Sequence, residues 1–242
     1  MRIDGRSNND IRSVKIVPNY LKSPMGSVLI EQGLTKVICC VSIKDGVPPF
    51  LRGSKSGWLN AEYAMLPCAT SSRNARESTK GKQQGRSIEI QRIIGRSLRS
   101  VLDLSKIGER TLVVDCDVME ADGGTRTASI TGAYVALAIA AKKMISQGII
   151  EESPISKRVA ALAVGVVDGE VIVDLNFEED ARADSDINLV MNDNGEIIEI
   201  QGTAEGSPYT LQDLNKMFKV ALEGFGKLFD LQKKILDNIG EV

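Results

Sequence analysis

Thr111-Leu112-Val113-Val114-Asp115-Cys116-Asp117-Val118-Met119-Glu120, then Ala121-Asp122-Gly123-Gly124, then an Ala-rich run from Thr125 to Gln147: from this stretch the rest of the fold can be laid out. The first ten residues are β-branched at the start and then alternate Asp115/Asp117 against Cys116/Val118, which predicts a strand. Two glycines break it. Beyond them a helix starts within Thr125–Thr127 and is closed by Gly148. Its small residues (Ala133, Ala136, Ala138, Ala140, Ala141) imply close packing on both sides.

Upstream, Ser27-Val28-Leu29-Ile30 and Thr35-Lys36-Val37-Ile38-Cys39-Cys40-Val41 flank Gly33 as a hairpin, and Trp58 to Met65 reads as a further strand. Residues 46–57 between them form a Gly/Pro loop without a pattern of its own. Next comes a helix with Ile90, Ile93/Ile94, Ser97/Leu98 and Val101 on one face. Arg92, Arg96 and Arg99 make a stripe on another, with Glu89 and Asp103 at helical pairing distance. Downstream, Asp168-Gly169 and Asn194-Gly195 mark two hairpin turns, joining Ala160–Val167 to Glu170–Leu175 and Asn188–Met191 to Glu196–Ile200. A last helix from about Thr210 carries Leu211, Leu214, Met217/Phe218, Ala221/Leu222, Phe225 and Leu228/Phe229 on its apolar face. The order ββββ-α-β-α-ββββ-α predicts an α+β fold with helices packed on mixed or antiparallel sheets. No long linker divides the chain, so it reads as a single domain over 1–242.

The 242 residues carry 30 Lys+Arg against 32 Asp+Glu and no histidine. That removes Ser-His-Asp and Cys-His catalysis and most zinc enzymes. No apolar run approaches the length needed to cross a bilayer. The four cysteines lack CxxC spacing and no signal segment precedes Met1-Arg2-Ile3, so reduced thiols and a cytoplasmic location are expected. Charge that cancels overall is segregated locally. Residues 71–110 hold ten Lys/Arg against four Asp/Glu, and residues 168–206 hold twelve Asp/Glu against one Arg. A substrate carrying phosphate could engage both stretches, although two solvated faces would read the same way.

Three motifs can carry chemistry. Gly123-Gly124-Thr125-Arg126-Thr127-Ala128-Ser129, between strand and helix, offers backbone N–H groups, a helix dipole and several side-chain donors, and so looks like a phosphate-binding turn. A glycine turn with a threonine N-cap is the plainer reading. Glu178-Glu179-Asp180-Ala181-Arg182-Ala183-Asp184-Ser185-Asp186 packs hard oxygen ligands suited to Mg²⁺ or Mn²⁺, or else is a solvated acidic loop. Residues 71–86 are polar, basic and nearly devoid of apolar side chains. Such a loop commonly tracks a phosphodiester backbone, or is simply a flexible surface loop. There is no GxxxxGK[ST] and no strand-GxGxxG-helix. Together these point to phosphoryl chemistry on a nucleotide or nucleic acid.

At these residues the chain closely resembles the ribonuclease PH family of phosphate-dependent 3′→5′ exoribonucleases. The resemblance rests on Met1-Arg2-Ile3-Asp4-Gly5-Arg6, on Gly57-Trp58-Leu59-Asn60-Ala61-Glu62-Tyr63-Ala64-Met65-Leu66-Pro67, and on the run Gly85 to Arg99. It continues through Asp115-Cys116-Asp117-Val118, the Gly123 to Gly132 run, Asp174-Leu175 with the acidic stretch, and Gln201-Gly202-Thr203-Ala204-Glu205-Gly206. It implies a ribosomal protein S5 domain 2-like fold and a homohexamer built as a trimer of dimers. The implied activity is trimming of 3′ single-stranded ends of transfer-RNA precursors, with ribosomal RNA a second candidate, releasing nucleoside diphosphates in a reversible nucleotidyl transfer. Residue by residue, the resemblance places Arg86, Gly124, Thr125 and Arg126 on the attacking orthophosphate, with Thr127 and Ser129 lining the pocket. It places Mg²⁺ on Asp180 and Asp186, which with Arg126 make the catalytic set, and RNA contacts on Arg73 and Arg76. Arg92, in the arginine stripe, joins them as a candidate RNA contact.

Two departures stand out: Cys68 occupies a position where the family usually has Arg, and Ser71 one where it commonly has His. The first puts one RNA contact in doubt. Three other readings stay open: a subunit of a mixed exosome-like ring, a catalytically silent RNA-binding ring subunit, and a hydrolytic nuclease.

Overall fold

The computed structural model describes residues 2–204 and 206–239. Met1 and Glu205, both within motifs quoted above, lie outside them. The elements run β1 (Val14–Pro18), β2 (Gly26–Gln32), β3 (Thr35–Asp45), β4 (Trp58–Met65), α1 (Glu77–Lys80), α2 (Gly85–Arg99), β5 (Arg110–Glu120) and α3 (Thr125–Ser146). They continue with β6 (Val159–Val167), β7 (Glu170–Val173), α4 (Phe177–Asp180), β8 (Ser185–Asn192), β9 (Ile197–Ala204) and α5 (Leu211–Asn238). The sequence order is thus observed with two single-turn helices added, and the first strand, Val14–Pro18, now has its place.

One sheet has the order β1-β2-β3-β5-β4 and is antiparallel except for the parallel pair β4 and β5. The other, β7-β6-β8-β9, is wholly antiparallel. Helix α3 packs on β2, β3 and β5 of the first sheet and on β6 of the second. Its small residues permit this. A Cβ on Gly26 of β2 would stand 2.0 Å from the Ala136 carbonyl oxygen, and one on Gly132 would stand 2.7 Å from Ile30 Cγ2. By length and hydropathy α3 could span a bilayer, contrary to the expectation from the sequence, yet 83% of its most apolar window is buried inside the protein. It is the core helix, and being apolar all round follows from being covered all round. It closes as predicted: Gly148 at φ 67° donates to Ile145 O, and Ile149 N donates to Met144 O, which makes a Schellman cap.

The two later hairpins use different turns. Asp168 (φ 51°) and Gly169 (φ 78°) both take positive φ, as a two-residue type I′ turn needs. At Asn194-Gly195 only the glycine does. The loop is longer there, with Asn192 N donating to Glu196 O and a register shift at Val190/Met191. In α5, Met217, Ala221, Gly224, Phe225 and Leu228 are buried against β6 and β7. Leu211 and Leu222, expected on that face, are exposed. Leu211 is the first residue of the helix, and Leu222 stands about 100° around it from Ala221.

Candidate active site

Helices α2 and α3 start at the same cavity. Neither N-cap residue, Gln84 or Gly124, offers a side-chain oxygen to its helix, so the first-turn N–H groups of both helices are available to an anion. Gly124 is itself left-handed, at φ 65°. Gln84, Arg86, Ser87, Gly124, Thr125 and Arg126 all line the cavity, which encloses about 1200 Å³.

Arg126, half-buried, donates to Gln201 Oε1 at 2.6 Å, and the Gln201 amide in turn bonds Glu89. Burial, followed by the neighbouring Arg86 guanidinium, pulls the Arg126 pKa below its ordinary value. Repulsion between half-buried Arg126 and the exposed Arg86 beside it would be relieved by an anion between them. Alongside, Tyr63 from β4 shares a 2.9 Å hydrogen bond with the Thr125 hydroxyl, and burial pushes its phenol up. Asp180 at the end of α4 and Asp186 in β8 also line the cavity. Asp186 accepts from Thr203 Oγ1 at 3.0 Å and from Asn188 Nδ2 at 3.4 Å.

The cavity therefore gathers Arg76, Arg86, Gly124, Thr125, Arg126, Asp180 and Asp186 from five separate segments. Thr127 and Ser129 lie beneath it. Both are buried, and their hydroxyls turn back onto the helix, to Gly124 O at 2.8 Å and Thr125 O at 2.7 Å. Arg73 and Arg92 are exposed but outside the lining. The stripe on α2 does not form the pairs its spacing suggested. Arg96 instead pairs with Glu199 of β9 at 2.8 Å, while Arg99 sits 4.6 Å from the Trp58 ring centroid and donates to Leu59 O. Tertiary partners on neighbouring strands displaced the local ones. Apart from half-buried Glu77, the described side chains of the basic stretch 71–86 are exposed as expected, but the stretch contains the helical turn α1, closed by left-handed Gly81, and its last two residues open α2.

The acidic stretch divides. Glu179 points inward, 2% exposed, and receives both Arg2 Nε and Arg2 Nη2 at 2.7 Å. Burial pushes its carboxyl up, but Arg2 and the Asn176 N–H more than reverse this and hold it below its ordinary value. Of the acids in this stretch, Asp180 and Asp186 line the cavity with Arg126. Among the described residues no three potential ligand side chains cluster as a metal site. Two carboxylates facing a phosphate-sized anion site still suit Mg²⁺, which commonly takes one or two carboxylates plus water and substrate phosphate.

A charged floor lies under the site, and although Arg2, Asp174 and Glu179 fall in stretches that carry the resemblance, nothing local in the sequence shows how they pair. Asp174, fully buried and left-handed at φ 54°, accepts from Arg12 N (2.7 Å), Arg12 Nε (3.1 Å), Arg12 Nη2 (2.7 Å) and Gln32 Nε2 (2.8 Å). Arg12 then donates to Asp122 O at 2.5 Å and to Gly123 O at 3.4 Å. A Cβ on Gly124 would stand 2.9 Å from Arg12 Nη2, so the glycine lets the turn rest on this guanidinium. Elsewhere on the wall, burial and then Glu62 push the Asp115 and Asp117 carboxyls up.

The sequence matches the 3′ exoribonuclease family, domain 1, over residues 10–143 and domain 2 of the same family over residues 157–224. The chain belongs to the ribonuclease PH family. It is 55% identical to ribonuclease PH of Neisseria meningitidis over 231 residues, 96% of each chain. Among solved structures it is similar to rice (Oryza sativa) Rrp46, with TM-score 0.79, 23% identity, and coverage of 97% of this chain and 100% of that one. It is also similar to a chain of the Archaeoglobus fulgidus exosome with RNA bound to the active site, with TM-score 0.80, 24% identity, and coverage of 95% and 91%. Those neighbours show the fold, ribosomal protein S5 domain 2-like α+β. The activity follows from the family: phosphorolytic 3′→5′ exoribonuclease action and nucleotidyl transfer in transfer-RNA processing, with orthophosphate as co-substrate. Residues from both family domains wall the cavity, Thr125 and Arg126 from the first and Asp186 and Gln201 from the second.

Proposed function

We propose that orthophosphate binds between the N-termini of α2 and α3, held by Arg86, Arg126 and the Gly124/Thr125 turn, and attacks the last phosphodiester of an RNA 3′ end. The observation that carries this is the convergence of two side-chain-uncapped helix N-termini and two arginines on one cavity, with Asp180 and Asp186 lining the same space. A phosphate oxygen bonds to the terminal phosphorus, the bond to the 3′ oxygen of the preceding nucleotide breaks, and that oxygen takes up a proton. A nucleoside diphosphate and an RNA one nucleotide shorter result. The bond broken and the phosphoanhydride formed are similar in energy, so the step also runs backward. Arg86 and Arg126 hold the nucleophile and balance charge on the equatorial oxygens, which is the main protein contribution to such transfers. Asp180 and Asp186 would hold Mg²⁺, which when bound offsets charge on the phosphorus. Thr127 and Ser129 fix the first turn of α3 rather than touch the anion.

Arg73, Arg76 and Arg92 we assign to the RNA backbone, and the whole chain to one catalytic unit, since both halves wall the cavity. The working form in this reading is a cytoplasmic homohexamer, a trimer of dimers. A transfer-RNA precursor with extra 3′ nucleotides and Mg²⁺, incubated with and without orthophosphate, tests the reaction. Nucleoside diphosphates should appear only with phosphate, whereas monophosphates without it would mean hydrolysis. Arg126→Ala should cut turnover by about 10²–10³ with RNA binding nearly intact; equal loss of both would count against its place on the phosphate.

A further inference from the structure

Phe177 is an aromatic side chain left 60% exposed at the wall of the cavity. Its direction is imposed by the turn it starts. Helix α4 spends its inward position on Glu179, locked to Arg2, which leaves Phe177, Glu178 and Asp180 outward. Phe177 and Asp180 are three residues apart and so share a face. The backbone beside the ring is pinned to the anion turn. Phe177 N donates to Asp122 Oδ1 at 3.3 Å, and a Cβ on Gly123 would stand 2.9 Å from Phe177 N. Exposed Phe50, by contrast, has a ring partner in Trp58 at 5.5 Å, and the other aromatic lining the cavity, Tyr63, is buried. Among the described residues Phe177 is thus the exposed aromatic that lines the cavity without a ring of its own to pack on.

We propose that Phe177 is the stacking platform for the base of the 3′-terminal nucleotide, the one that leaves as the diphosphate. This rests on the reading of the cavity as the phosphorolytic site. A ring beside the anion turn, on the face that carries Asp180, meets the base attached to the attacked phosphorus. Stacking there is indifferent to base identity, since every base presents a π-face. It suits an enzyme that removes successive nucleotides whatever their sequence.

The test uses the purified full chain with Phe177→Ala, Phe177→Leu and Phe177→Tyr, following nucleotide addition from ADP and phosphorolysis of a short single-stranded RNA. Phe177→Ala and Phe177→Leu should raise the KM for ADP by on the order of tenfold, leave the KM for orthophosphate unchanged, and be rescued by Phe177→Tyr. An RNA lacking only its terminal base should bind wild type and Phe177→Ala equally. The proposal is overturned if Phe177→Ala keeps the wild-type KM for ADP, or if Phe177→Leu restores it, because bulk alone would then suffice. A parallel rise in the KM for orthophosphate would overturn it too, by showing a displaced Gly123 turn. Failure of the underlying reading looks different: wild type itself would release monophosphates without phosphate.

Discussion

Beneath the cavity, the Arg2–Glu179 and Arg12–Asp174 pairs have side chains between 0% and 4% exposed, whereas Arg73, Arg76 and Arg92 around it stand in solvent. The same charge type serves two purposes. A buried pair gains little net stability, because desolvating both ions offsets their attraction, but breaking one strands an uncompensated charge. What such a pair supplies is fixed geometry: Arg12 joins Asp174 to the backbone of Asp122 and Gly123, and Arg2 joins Glu179 to the carbonyls of Val173 and Asp174. Rim arginines lose little on exposure and attract phosphates over a distance that salt shortens. One region holds the nucleophile's cradle still, and the other gathers substrate.

The largest effect that can test this division is Arg12→Ala. It should lower the unfolding free energy by about 3–5 kcal/mol in a urea titration and raise the KM for orthophosphate. Arg12→Lys should not rescue it, because a point charge cannot serve Asp174 and the Asp122 carbonyl together. A loss below about 1 kcal/mol would equate the floor with a surface ion pair, and the comparison would collapse.

Next in size is Glu179→Gln, expected to cost about 1–3 kcal/mol at neutral pH. The folded-state pKa of Glu179 lies below its ordinary value of 4.5. Its contribution is therefore complete above that pH and is lost as pH falls through the folded value. Melting temperatures of wild type and variant should converge in acid and separate above pH 4.5. Parallel curves throughout would show that the Glu179 charge does not stabilise the fold.

At the rim, Arg76→Ala should weaken RNA binding a few-fold and flatten the logarithmic salt dependence by about 0.7, with the KM for orthophosphate unmoved. Arg76 lines the cavity and Arg73 does not. A short oligonucleotide should therefore register Arg76→Ala alone, and a transfer-RNA precursor both substitutions. If Arg73→Ala matches Arg76→Ala on the short substrate, the rim extends further inward than the cavity wall.

Rim and turn were legible in the sequence because exposure and local spacing are local properties. The polar run 71–86 could only be surface, and Gly123-Gly124 could only be a turn before a helix. The element order followed for the same reason. The floor was not legible, since Arg2, Arg12, Asp174 and Glu179 pair across more than a hundred residues, and composition gives no sign that an arginine near the N-terminus is dry. Glu179 read as one more metal-binding oxygen because the acidic run has no period to show which member turns inward. The α2 stripe failed likewise, for its partners lie on β4 and β9 rather than one turn away.

The smallest effect falls at Cys68, which is exposed in a shallow depression with Leu34, Ser71, Met119 and Glu120. A cation introduced there would find Glu120 already held by Lys36 at 2.7 Å, and Asp122 engaged by Arg12 and the Phe177 N–H. It would thus be free to meet one RNA phosphate. Cys68→Arg should steepen the salt dependence of transfer-RNA binding by about 0.7 and improve affinity by less than about 1 kcal/mol. The KM for orthophosphate should not move. Were it to move, the new charge would be acting through Asp122 on the turn that Arg12 supports. Floor and rim would then be one electrostatic unit rather than two.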